Sequence, residues 1–162
     1  MEFFMKLPRS KREFALFIAV ISIISVNIIA PIITCLEIGF SFKVYKEVLT
    51  VLPFIWIAVI TLVLLTFKPA EWLTGQVVTK GDSFKATVTI NILCSVFILS
   101  IFLTIIGTWI GSRKISLDPI YWFFYKWPKN FAISLGVELF IAQPAARFVM
   151  LKYHLLTSAQ TD

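Results

Sequence analysis

The sequence predicts an all-α membrane protein of four transmembrane helices, arranged as two parallel, tandem helical-hairpin repeats. Three observations carry that reading. Of its 162 residues 59% are hydrophobic and only 15% charged, with a mean hydropathy of +0.89, against about 45–50% apolar and about 25% charged in soluble domains. Phe14–Leu36, Val48–Phe67 and Ala86–Ser112 are charge-free over 23, 20 and 27 residues, and a helix needs about 20 to cross the hydrocarbon core. A fourth run of 17 residues, Asn130–Ala146, carries one acid, Glu138, and can be lengthened by snorkelling of the flanking Lys129 and Arg147. The four spans leave room only for loops and tails, so residues 1–162 form a single membrane domain.

Taken in order, Met1–Glu13 is a basic lead-in. Span one exceeds the apolar core of a signal peptide and lacks a small-residue cleavage site, so it is expected to stay in the mature chain. It carries Asn27 and Pro31, four apart and so on one helical face. There the Asn27 amide is expected to satisfy the carbonyl freed by Pro31 or to bond a neighbouring helix. The loop Glu37–Glu47 reads as a tight polar turn. Span two has Pro53 in its first turns and is expected to stop before Pro69, giving way to a long polar connection, Lys68–Lys85. Span three has Thr87, Asn91, Cys94 and Ser95 on one face, then Ser100, Thr104 and Thr108 on another. Its Gly107 and Gly111 form a small-xxx-small pair that predicts close backbone packing.

The loop Arg113–Pro128 holds an aromatic cluster, Tyr121 to Trp127, which an interfacial belt explains; the alternative is an aromatic wall for an organic cation. The two cysteines, Cys35 and Cys94, belong to spans and read as small apolar side chains. The net charge of +6 flanks the spans, as topology signals and anionic headgroups require, and does not form a nucleic-acid-binding patch.

Proline spacing suggests duplication. Pro53 and Pro69 are 16 residues apart, as are Pro128 and Pro144, and the offset of 75 also places Leu65 on Phe140 and Ala70 on Ala145. The repeats then cover about 10–76 and about 84–154. Two spans per unit make them parallel, without the inverted symmetry used by many alternating-access carriers. With both termini on one side, nine Lys and Arg fall there (Lys6, Arg9, Lys11, Arg12, Lys68, Lys80, Lys85, Arg147, Lys152) and six opposite, so cytoplasmic termini are expected.

With Lys11-Arg12, Asn27, Pro53, Pro69-Ala70, the Trp127–Phe131 segment and the Glu138–Arg147 segment, the chain resembles a bacterial family of small, tandemly duplicated integral membrane proteins. That family is defined by a domain of unknown function, number twenty-seven ninety-eight in the usual naming of such domains. The second copy is the closer match; the first has Lys68-Pro69 where the second has Gln143-Pro144, and no acid opposite Glu138. The resemblance implies the fold and a multi-pass place in the bacterial inner membrane, and transfers no catalytic residue.

Glu138 is the natural functional candidate, because a carboxylate at mid-bilayer costs several kcal/mol unless it is paired or protonated. Asn130, Ser134, Glu138, Ala142 and Ala145 fall on one face of a regular helix, with Gln143 and Arg147 projecting elsewhere. The expectation is a proton, metal-ion or organic-cation site at Glu138, with Ser134, Asn130, Asn27 and Asn91 as its shell. The competing reading is a hydrogen-bonded Glu138 that ties span four to span three through Asn91, Ser95 or Thr104. His154, the lone histidine, reads as an interfacial residue of the C-terminal tail. No metal-ligand spacing, phosphate loop or nucleophile–base pair appears, so neither enzyme chemistry nor a cofactor is expected. The function classes left are a small transporter or channel, working as a homo-oligomer, and an accessory protein that binds another membrane protein.

Overall fold

A computed structural model of the chain describes residues 7–79 and 81–159. Lys6 and Lys80, two of the cations counted on the terminal side, lie outside the described residues. Helices α1 (Lys11–Ile38), α2 (Phe42–Val77) and α3 (Phe84–Ser112) are followed by a short α4 (Asp118–Tyr121), then α5 (Phe123–Val137), a π-helical turn (Glu138–Ala142) and α6 (Gln143–Ala159). The last three run on as one rod, so four helical rods are long and apolar enough to cross a membrane: Lys11–Ile38, Phe42–Val77, Phe84–Ser112 and Phe123–Thr157. The chain is a multi-pass, all-α membrane protein.

Local sequence explains where the rods begin and end. The first three open on a serine, Ser10, Ser41 or Ser83, whose hydroxyl accepts from the backbone N–H three residues on and so satisfies one of the donors a helix start leaves free. α1 stops at Gly39, whose φ of 97° suits glycine. Only residues 39–41 separate α1 from α2, a shorter connection than the expected Glu37–Glu47 loop.

Pro69 does not end span two as expected. Pro53 and Pro69 both lie inside α2, which runs 36 residues, and the Lys68–Lys85 connection shrinks to residues 78–83. Pro128 and Pro144 likewise lie within the fourth rod. A proline inside a helix removes one N–H and crowds the carbonyl four residues back, a loss that a bundle tolerates when neighbouring groups compensate. Pro53, Pro69 and Pro128 thus lie in regular α-helix, whereas Pro144 stands two residues after the π turn.

The rods form a ring, in which α2 packs on α1 and α3 and the fourth rod packs on α3 and α1; among the described residues the diagonal pairs do not pack. Neighbours are antiparallel. Along the seam between α1 and the fourth rod, Glu13 meets His154, Phe17 packs with Ala146 and Met150, Ser25 meets Glu138, and Glu37 meets Lys126. One number rises as the other falls. A second apolar cluster of Val26, Val48, Leu52 and Val59 holds α1 to α2.

Two expectations are corrected here. A Cβ added at Gly107 or Gly111 would meet nothing within 4 Å, so this glycine pair is not a close-packing seam within the chain. His154, expected in a C-terminal tail, instead lies within α6, near the end of the fourth rod. It is buried, with Nε2 3.0 Å from a Glu13 carboxylate oxygen that also accepts the Arg9 backbone N–H.

Met150 is fully buried at the centre of the Phe17–Ala146 contact. Between membrane helices the transfer gain is small and packing dominates, so Met150→Ala should fall at the low end of the range for such truncations, about 2 kcal/mol. Denaturation of the detergent-solubilised protein by a graded anionic detergent, followed by circular dichroism, measures it.

Candidate functional site

Glu138 stands midway along the fourth rod, at the first residue of the π turn. The turn closes with the Gln143 N–H donating to the Glu138 carbonyl, five residues back. Its place has a cause in the next residue: in a regular helix the Pro144 ring would press on the carbonyl of Phe140, and a wider turn relieves that crowding. The turn also changes what faces what, because residues five apart align in a π turn where a regular helix sets them apart.

Gln143, expected to point elsewhere, therefore comes round to Glu138, and its Nε2 lies 3.4 Å from Oε1. From across the seam the Ser25 hydroxyl of α1 donates to Oε2 at 2.6 Å. Ser25 is itself buried, beside the buried Ser22 and Val26. The carboxylate thus receives one donor on each oxygen, one from its own rod and one from α1. When Glu138 is ionised these bonds are charge-assisted and so stronger than neutral ones.

The five expected site residues are not brought together. Ser134 stays one turn before Glu138, half-buried on the same rod. Asn130 lies eight residues away, about 12 Å along the rod, and there its Nδ2 reaches Thr104 of α3 at 3.4 Å while its buried Oδ1 has no hydrogen-bond partner among the described residues. Asn91 donates to Thr74 of α2 at 3.1 Å. Asn27 is exposed on the outside of α1 and donates to the Ile23 carbonyl of its own helix at 2.6 Å, serving neither Glu138 nor the carbonyl freed by Pro31. The reason is helical geometry: residues two apart lie on nearly opposite faces, so once Ser25 points inward Asn27 points out.

The tie expected between Glu138 and span three is also relocated, since the partner is on span one. Span three joins the fourth rod through a separate polar row, in which Trp127 Nε1 donates to Ser100 Oγ at 2.9 Å and Asn130 reaches Thr104. The aromatic cluster splits in two. Phe123, Trp127 and Phe131 stack at four-residue intervals with Phe97 edge-on to the last two, whereas Tyr121, Trp122, Phe124 and Tyr125 are exposed, as a belt would be.

Chemically, the site can take a proton without leaving a group unsatisfied. A hydroxyl both donates and accepts, and a carboxamide does so with its two ends, so Ser25 and Gln143 can receive the O–H of a protonated Glu138 as readily as they donate to its anion. For a metal ion the carboxylate is the one charged ligand in this set of contacts, beside a hydroxyl and an amide. Among the described residues no three His, Cys, Asp or Glu side chains gather.

Comparison with known proteins gives no match, whether to a family model, a curated protein or a solved structure.

Interhelical hydrogen bonds in membrane proteins contribute about 0.6 kcal/mol on average and up to about 1.7. A double-mutant cycle of Ser25→Ala and Glu138→Leu should therefore give a coupling of about 1 kcal/mol in anionic-detergent unfolding, whereas Asn27→Ala combined with Glu138→Leu should be additive.

Proposed function

We propose that the protein is a small transporter or channel in which Glu138 binds and releases a proton within the membrane, acting as a homo-oligomer. The observation that carries this reading is the 2.6 Å bond between Ser25 and a carboxylate placed midway along a membrane-spanning rod. Ionisable groups at that depth are expensive and belong to ion or proton pathways more often than to plain scaffolding. The π turn supports it, since such turns recur at functional sites. The hydroxyl and amide partners support a proton over a metal ion, because they satisfy both protonation states. Oligomerisation is part of the proposal because four rods packed as a ring enclose little space for a path of their own.

A second reading is favoured by one observation. The Ser25–Glu138 bond is one of several ties along a single seam, with His154–Glu13 near one end and Lys126–Glu37 near the other. On this reading Glu138 is a structural fastener in an accessory protein that binds another membrane protein.

Proteoliposomes separate the two. With an internal pH dye and an imposed potassium diffusion potential, the wild-type protein should carry proton flux above that of empty vesicles, and Glu138→Gln should fall to the empty-vesicle level while keeping its helical content. Equal flux from wild type and Glu138→Gln would sink the transport reading. Absence of flux from both, together with recovery of one constant partner by crosslinking in native membranes, would establish the accessory one.

A further inference from the structure

At the end of the bundle where the termini lie, α1 and α2 part to leave a groove of about 320 Å³. Its origin is in side-chain size. Ala15 and Ala19, one turn apart on α1, face Ile60 and Leu64, one turn apart on α2, so the α1 wall lacks the bulk to close the gap. Phe14 meets Phe67 edge-on at 5.4 Å beside it and holds the two helices apart. Almost all the lining is apolar, and the exception is Lys11, at the terminal end.

A second cation stands near that end. Lys68 follows Leu64 by one turn on the same face of α2 and is exposed. Of the nearby acids, Glu13 is engaged by His154, and Glu71 lies three residues beyond Lys68. The groove runs from Lys11 to Ala19, about 12 Å along the helix.

We propose that this groove is a binding site for an anionic phospholipid of the leaflet on the terminal side, with an acyl chain lying between Ala15, Ala19, Ile60 and Leu64 and the phosphate held by Lys11 and Lys68. Shape suits a chain: the two alanines leave a narrow apolar slot beside Ile60 and Leu64, about as long as the first eight carbons or so of an acyl tail. Charge selects the headgroup, because an apolar slot that ends in two lysines is complementary to a hydrocarbon tail joined to a net negative head. Attraction of basic residues to anionic headgroups is a general property of membrane surfaces; the groove makes it site-specific.

The test is lipid titration of the full-length protein in neutral detergent, read by native mass spectrometry, with phosphatidylglycerol and phosphatidylcholine of matched chains. The wild-type protein should retain phosphatidylglycerol preferentially. At roughly fivefold per lysine, Lys11→Gln with Lys68→Gln should weaken phosphatidylglycerol binding about 25-fold and weaken phosphatidylcholine, whose phosphate is offset by its own choline, by much less. Ala19→Phe, which fills the slot, should lower binding of both lipids; Ala15→Leu serves the same purpose if the larger side chain prevents folding. Equal retention of the two lipids by the wild type would overturn the proposal. So would undiminished phosphatidylglycerol binding in the lysine variant, or a homodimer crosslinked through a single cysteine placed at residue 15 in which lipid is displaced.

Discussion

The hydrogen bond from the Ser25 hydroxyl to Glu138 is the contact on which the arrangement of this bundle turns. In hydrocarbon a carboxylate has no water to turn to, so its partners must be supplied by protein. Ser25 supplies one from α1, and the π turn brings Gln143 round to supply the other. The acid therefore fixes two things at once: which face of α1 meets the fourth rod, and how that rod is wound at its midpoint. Asn27 shows the consequence, since placing Ser25 inward obliges it to face outward.

The rest of the seam follows from the same alignment. With Ser25 opposite Glu138, antiparallel packing carries Phe17 to Met150 and Glu13 to His154 in one direction, and Glu37 to Lys126 in the other. The charged contacts at the two ends suit headgroups and the stretch near Met150 is apolar, so the Ser25–Glu138 contact stands out as the polar tie at the centre of the seam. α2, by contrast, has no contact with the fourth rod among the described residues and reaches it only through its neighbours α1 and α3. Its outer face is free to meet lipid, and its groove beside α1 follows from two alanines at a position where bulkier side chains would have closed the contact.

Much of the fold was legible because the spans are long and their hydropathy is extreme: four runs, one of them interrupted only by Glu138, become four rods. The boundaries were less so. Pro69 was expected to stop span two, but membrane helices accommodate prolines that soluble helices reject, and Lys68 and Glu71 sit on a helix that continues past the apolar run to Val77. The candidate site was readable only at its centre. Glu138 stands out as a lone acid, but choosing its partners required knowing how each rod is rotated, and regular helical periodicity misplaces Gln143 by failing to anticipate the π turn. The one available signal was Pro144 close after an acid, together with the serine pair Ser22 and Ser25 on one side of span one. Asn27 shares a helical face with Pro31, yet a side chain that can satisfy itself on its own helix, as Asn27 does at Ile23, has no need of a neighbour.

The central claim is that Glu138 titrates inside the bundle while bonded to Ser25. Infrared difference titration of the protein in lipid bilayers reads this directly, because a protonated carboxyl in an apolar setting has a carbonyl stretch distinct from that of exposed acids. The account predicts one such band that appears and disappears with pH, is absent from Glu138→Gln, and changes frequency in Ser25→Ala as its hydrogen bond is lost. A spectrum with no titrating carboxyl assignable to Glu138, or a band indifferent to Ser25→Ala, would contradict it.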